Sequence, residues 1–120
     1  MSQGILMSPA EHDYVKYNMP DERLSAHLAE FYSVFSDPTR LKILSALSIA
    51  DMCVGDLAIL LGLNQSTISH QLKLLKDAGI VNYRRSGKVV TYEVVNPFVE
   101  DVMMTGIDNL DLKEGRYSPV

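Results

Sequence analysis

The sequence predicts a mainly helical domain carrying one small β-hairpin, in the order α-α-α-α-β-β-α. Three observations predict it. Apolar residues recur at helical spacing from Leu24 to Leu47 and again from Val99 to Leu110. Two helical stretches are separated by only Gly62-Leu63-Asn64, the spacing of a helix-turn-helix. Two β-branched and aromatic runs flank Ser86-Gly87-Lys88, a hairpin signal. The chain has 120 residues, enough for one domain and one core but with little surplus for an internal catalytic cavity.

The elements follow from local chemistry. Residues 1–19 form an N-terminal extension, with a short helix expected over Pro9–Tyr17. Pro20 opens a stronger pattern, in which Leu24, Leu28, Phe31 and Phe35 fall on one helical face. Asp21 and Glu22 sit favourably at its positive N-terminal end. Asp37-Pro38 is a start signal, Asp as cap and Pro at the first helical position. The helix it opens presents Leu41, Leu44 and Leu47 and ends near Ala50. Met52–Val54 reads as an extended link and Asp56–Leu61 as a short helix stopped by Gly62. Asn64 caps a helix running to Ala78, closed by Gly79. The hairpin strands are Val81–Arg85 and Val89–Val94. Asn96-Pro97 starts a last helix with Val99, Val102, Met103, Ile107 and Leu110 on one side. A helix-turn-helix followed directly by a hairpin is the winged-helix plan, placed over residues 20–112. Residues 113–120 form a polar tail.

Composition excludes several classes. Apolar residues make up 47% and charged residues 22% of the chain, the profile of a soluble globular protein. No apolar run approaches the roughly 20 residues a membrane helix needs. The first ten residues lack the basic-then-apolar order of a signal peptide. One cysteine, Cys53, rules out an intrachain disulfide and suits a reducing cytoplasm. An enzyme is not expected, because no glycine-rich phosphate loop, nucleophile elbow or paired-carboxylate site is present.

Charge distribution points to a polyanion. The net charge is −4, yet from Leu63 to Tyr92 five bases (Lys73, Lys76, Arg84, Arg85, Lys88) stand against the single acid Asp77, a local +4 on a remainder of −8. Such a stretch orients an acidic body toward nucleic acid. On a helical wheel Leu72 and Leu75 lie within about 40° of Ile68, forming a buried stripe. Ser66, His70 and Lys73 take the opposite side, flanked by Gln65, Ser69 and Lys76, with Thr67 in the same first turns. Small, polar and cationic side chains of this kind enter a major groove and reach base edges and phosphates. The same pattern alone also describes an ordinary solvated face. Arg84, Arg85 and Lys88, clustered toward the hairpin tip, favour the DNA reading, because a wing there reaches the backbone or the adjacent minor groove.

Several motifs together resemble a known family. Phe35-Ser36-Asp37-Pro38-Thr39-Arg40-Leu41-Lys42-Ile43-Leu44 resembles the "ADPxRLxIL" signature of the ArsR/SmtB winged helix-turn-helix repressors. Cys53-Val54-Gly55-Asp56-Leu57, Gln65-Ser66-Thr67-Ile68-Ser69-His70-Gln71-Leu72 and Ala78-Gly79-Ile80-Val81 are similar to that family's helix-turn-helix. Arg84-Arg85-Ser86-Gly87-Lys88-Val89-Val90-Thr91-Tyr92 resembles its wing. The resemblance covers about residues 20–112. It implies a homodimer built on the first and last long helices, an operator of inverted-repeat character, and repression relieved by a metal ion or another stress signal. Leu24, Leu28, Phe31, Met103, Ile107 and Leu110 offer apolar surface for that dimer.

The signal is less legible. The family's zinc positions on the last helix correspond here to Asn96, Phe98, Asn109 and Leu112, and neither Phe nor Leu can ligate a metal. The other family site, beside the helix-turn-helix, carries Cys-x-Cys; here the second position is Gly55. Cys53 and Asp56 remain as candidate ligands, with His12 and Asp13 of the partner subunit as completing members of a mixed site for zinc or a neighbouring divalent ion. The plainer reading makes Cys53 a packed small hydrophobe and His12 a solvated residue. Two further readings stand beside these: a thiol redox switch at Cys53, acting by sulfenylation, a mixed adduct or an intersubunit bond, and a repressor with no metal site. His27 suits a helix boundary. Glu100, Asp101, Asp108 and Asp111 suit a solvated face more than a hard-cation site.

Overall fold

A computed structural model describes residues 4–114, with side chains described to Asp111. The expected polar tail from residue 115 onward, and the Leu112 side chain, lie outside the described residues. Two compact units are present, one ending at Tyr32 and one beginning at Ser33.

The first unit holds helix α1 (Pro9–Asn18) and nearly all of α2 (Glu22–Ser33). Ser8 caps α1 reciprocally: its Oγ accepts from the Glu11 amide at 3.2 Å, and Glu11 Oε1 accepts from the Ser8 amide at 2.8 Å. Asp21 Oδ1 accepts from the Leu24 amide at 2.8 Å at the start of α2. Neither helix buries a residue.

In the second unit a 3₁₀ turn (Val34–Ser36) leads into α3 (Pro38–Ile49), then α4 (Val54–Leu61), α5 (Gln65–Asp77), strands β1 (Val81–Ser86) and β2 (Val89–Val94), and α6 (Val99–Glu114). Phe35 therefore lies in a turn and does not continue α2. The Val34 carbonyl would need an amide at position 38, where Pro38 has none; Arg40 Nε donates to it instead at 3.1 Å, and Arg40 Nη2 donates to the Ser33 carbonyl at 3.2 Å. Asp37 Oδ2 caps α3 through the Arg40 amide at 2.9 Å. Helix α4 begins two residues before the expected Asp56, with Leu57 N donating to the Cys53 carbonyl at 3.1 Å.

Gly62, at φ +66°, ends α4 in the left-handed region that an L side chain rarely adopts. Asn64 Oδ1 then accepts from the Thr67 amide at 2.8 Å to start α5. Ile43, Leu44, Leu57, Ile68, Leu72, Leu75, Ile80, Val81 and Val99 are fully buried and form the core of this unit. The antiparallel register runs from Val81 opposite Val94 to Ser86 opposite Val89, so the turn itself is only Gly87-Lys88, with Gly87 at φ +61°. The expected extended link forms an isolated antiparallel β-bridge to the outer edge of β2: Met52 N donates to Tyr92 O at 3.2 Å and Tyr92 N to Met52 O at 2.8 Å. The last helix starts at Val99 because Asn96 and Pro97 are used in a preceding turn, where Asn96 Oδ1 accepts from Phe98 N at 2.9 Å.

Candidate nucleic-acid interface

Helix α5 is seated by Ile68, Leu72 and Leu75, all buried, so its other side is carried outward by packing and not by chance. Gln65, Ser66, Ser69, His70 and Lys73 are exposed there, and Thr67 is half-buried. Not all are equally available. Ser66 Oγ donates to Asn64 Oδ1 at 2.9 Å. Lys73 Nζ pairs with Asp77 Oδ2 at 3.1 Å, one turn on. Both partners of that pair are largely exposed, so the contact is weak and easily exchanged for a phosphate.

The hairpin stands beside this helix. Lys76 Nζ lies 5.6 Å above the Tyr83 ring, and that ring meets Tyr92 in a tilted pair, 53° between planes and 5.6 Å between centroids. Arg85 and Lys88 are exposed and form no ion pair among the described residues. Arg84 is placed differently. Its Nη1 donates to Asp51 Oδ2 at 3.1 Å and to the Glu93 carboxylate. Hydrogen bonds to Asp51 first and Glu93 second hold its guanidinium even more firmly protonated than usual. Sequence reading grouped the three wing cations; the role of Asp51, 33 positions away, carried no local signal.

The candidate metal residues fall in both units. His12 and Asp13 lie on α1, exposed. Cys53, half-buried, caps α4, and its thiol donates to Asp56 Oδ2 at 3.3 Å. A Cβ at Gly55 would stand 3.9 Å from Cys53 Sγ, an ordinary contact, so the absent second thiol is a loss of donor and not of room. Within one chain no group of three His, Cys, Asp or Glu gathers to hold a metal among the described residues. Asn96 and Phe98 precede α6 and offer no set of zinc donors. Among the described residues, then, a single chain brings only the Cys53–Asp56 pair together from the candidate set, one thiol and one carboxylate. Among the described residues no helix is long and apolar enough to cross a membrane.

Comparison with known proteins agrees with this geometry. Residues 37–83 match the family model described as "Bacterial regulatory protein, arsR family", a span from the α3 cap into the first wing strand. A transcriptional repressor SmtB homolog of Synechocystis sp. is 39% identical over 83 residues, covering 69% of this chain and 63%, under two thirds, of that protein. The cadmium resistance regulatory protein CadC homolog of Staphylococcus aureus is 36% identical over 95 residues, covering 78% of this chain and 74% of its own length. The crystal structure of the AntR antimony-specific transcriptional repressor superposes with a TM-score of 0.75 at 25% identity, covering 94% of this chain and 100% of the other. A homodimeric winged helix-turn-helix DNA-binding domain from Mycobacterium bovis shares the fold, with a TM-score of 0.68 at 23% identity over 86% of this chain and 99% of that one. With the helix-turn-helix, the wing and these relatives in agreement, the chain belongs to the arsR family of bacterial regulatory proteins, the ArsR/SmtB transcriptional repressors.

Proposed function

We propose that this chain acts in the cytoplasm as a homodimeric repressor that lays α5 in the major groove of an inverted-repeat operator and its wing on the adjacent backbone. The observation that carries the reading is the two-sidedness of α5: a fully buried Ile68–Leu72–Leu75 stripe opposite an exposed row of Ser66, Ser69, His70 and Lys73. Such a helix is firmly held, and the row opposite its buried stripe is made of groups able to read base edges and phosphates. Leu24 (49% exposed) and Leu28 (37%) on α2, and Leu110 (50%) on α6, supply apolar surface for a second copy. A dimer places two reading helices about one turn of DNA apart, which is why an inverted repeat is the expected operator. Titration of duplex DNA by fluorescence anisotropy at several salt concentrations tests this. Affinity should fall steeply with salt and should favour the operator over scrambled duplex. Salt-independent or absent binding would remove the reading.

For the inducing signal, the relatives are named for cadmium resistance and antimony specificity. The Cys53–Asp56 pair at the start of α4, adjoining the reading helix, is the site we assign to it, with His12 and Asp13 of the partner subunit as completing donors of a divalent ion. A ligand there shifts the protein only through unequal affinity for the DNA-bound and free states. A thiol oxidant acting on Cys53 is the second reading, supported by the same half-buried thiol. Cys53→Ser that still binds operator should lose release by metals or oxidants. Full release in that variant would place the signal elsewhere.

A further inference from the structure

The three wing cations are held unequally. Arg84 faces two carboxylates, Asp51 and Glu93, and that cluster carries a net charge of −1. Glu93 belongs to the hairpin itself, but Asp51 lies in the link between α3 and α4. Along a strand successive side chains alternate faces. Tyr83 and Arg85 are therefore on the face opposite Arg84, and there Tyr83 meets Tyr92 and the Lys76 ammonium of α5. The wing thus has a contact on each face, an ion pair to the α3–α4 link and a ring under a cation of α5. A two-stranded hairpin needs such support, being marginal by itself.

We infer that Arg84 is a positioning residue that fastens the wing to Asp51, and that only Arg85 and Lys88 deliver the wing's charge to the DNA backbone. A guanidinium already between two carboxylates offers a phosphate no net positive charge. Arg85 and Lys88 are exposed and lack acidic partners among the described residues. The inference refines the DNA-binding reading and rests on it for its functional consequence, but wing fastening is measurable without DNA.

The test uses the full-length protein and a mixed-sequence duplex of roughly 30 base pairs, long enough for two half-sites one turn apart. Arg85→Gln and Lys88→Gln should each reduce the slope of log affinity against log salt by about one unit. Arg84→Gln should keep the parental slope and weaken binding several-fold at every salt concentration. Asp51→Asn is decisive, because it removes a negative charge. Simple electrostatics makes it bind DNA more tightly, whereas a loosened wing makes it bind more weakly, with no further loss in the double variant Arg84→Gln/Asp51→Asn. Arg84→Lys should restore part of the loss. A slope change of about one unit in Arg84→Gln, or tighter binding by Asp51→Asn, overturns the inference. Amide hydrogen exchange over residues 82–92 supplies the independent arm. Exchange should quicken in Arg84→Gln and Asp51→Asn and stay parental in Arg85→Gln. Unchanged exchange in Arg84→Gln overturns it as well, whatever the DNA result. If the parent binds no duplex but exchange responds as expected, it is the DNA-binding reading that fails.

Discussion

Two parts of this molecule solve the problem of burial differently. From Val34 to Val99 the chain buries thirteen apolar residues, most of them in α3, α4 and α5. From Pro9 to Ser33 it forms two well-capped helices and buries nothing, although Tyr14, Val15, Leu24 and Leu28 are apolar or aromatic and exposed. Capping decides where a helix starts, whereas packing supplies most of its stability. The comparison teaches that the unit containing α5 is self-supporting in one chain, while the N-terminal helices leave their apolar side chains exposed, as the proposed dimer requires. It also explains why the side chains opposite the Ile68–Leu72–Leu75 stripe can be polar and exposed at no cost to the fold: their helix is anchored from behind.

The largest way to break the comparison is in the core. Leu72→Ala empties a fully buried site and should cost about 2–5 kcal/mol in thermal or denaturant unfolding. Leu28→Ala, measured on dilute protein, should cost far less. Equal losses would mean that α2 is packed within the single chain. Next comes the partner surface. Replacing both Leu24 and Leu28 by Ser should weaken dimerisation by about 3 kcal/mol, more than a hundredfold in Kd by sedimentation. A dimer indifferent to that change would have to be built on other residues.

The reading face sharpens the other half. His70→Ala should weaken operator binding by ~1–3 kcal/mol with an unchanged melting temperature. Ser66→Ala should cost less, since its hydroxyl is already engaged with Asn64. A larger loss for Ser66 would mean that the hydroxyl leaves Asn64 on the DNA. Asn64→Ala removes the α5 cap and should lower stability by about 1 kcal/mol.

The smallest effect is at α1. Glu11 is held below its ordinary value, first by the hydrogen bond from the Ser8 amide and then by the Ser8 side chain. A carboxylate depressed in the folded state contributes its stabilisation above the unfolded value, near 4.3. That contribution is lost as the pH falls through the lower folded value. The Ser8 amide resonance should therefore titrate with a midpoint below the ordinary glutamate value, and Glu11→Gln should abolish that titration.

Much of this was legible in the sequence, and for local reasons. Ser, Asp and Asn caps, Pro at helix starts and Gly at positive φ act within a turn of themselves. The Asp37 and Asn64 caps placed α3 and α5 to within a residue or two, whereas the Ser8 cap of α1 came only with the structure. The Ile68–Leu72–Leu75 stripe follows from 3.6-residue periodicity alone, and with it the outward face of α5. Where reading by periodicity went past its reach, a distant group had intervened. Phe35 kept helical spacing but lies in a 3₁₀ turn, where Pro38 leaves the Val34 carbonyl without an amide partner and Arg40 donates to it instead.

The sequence by itself determined the order of the elements, most of their caps and the polar outward face of α5, since all of these are set by neighbours three or four residues apart. Tertiary structure alone decided that Met52 pairs with Tyr92 in a β-bridge, and that Arg84 is held by Asp51 while Arg85 and Lys88 form no ion pair among the described residues. Those contacts join positions dozens of residues apart. A cation's charge is written in its residue type, but its availability depends on which acids the fold brings beside it.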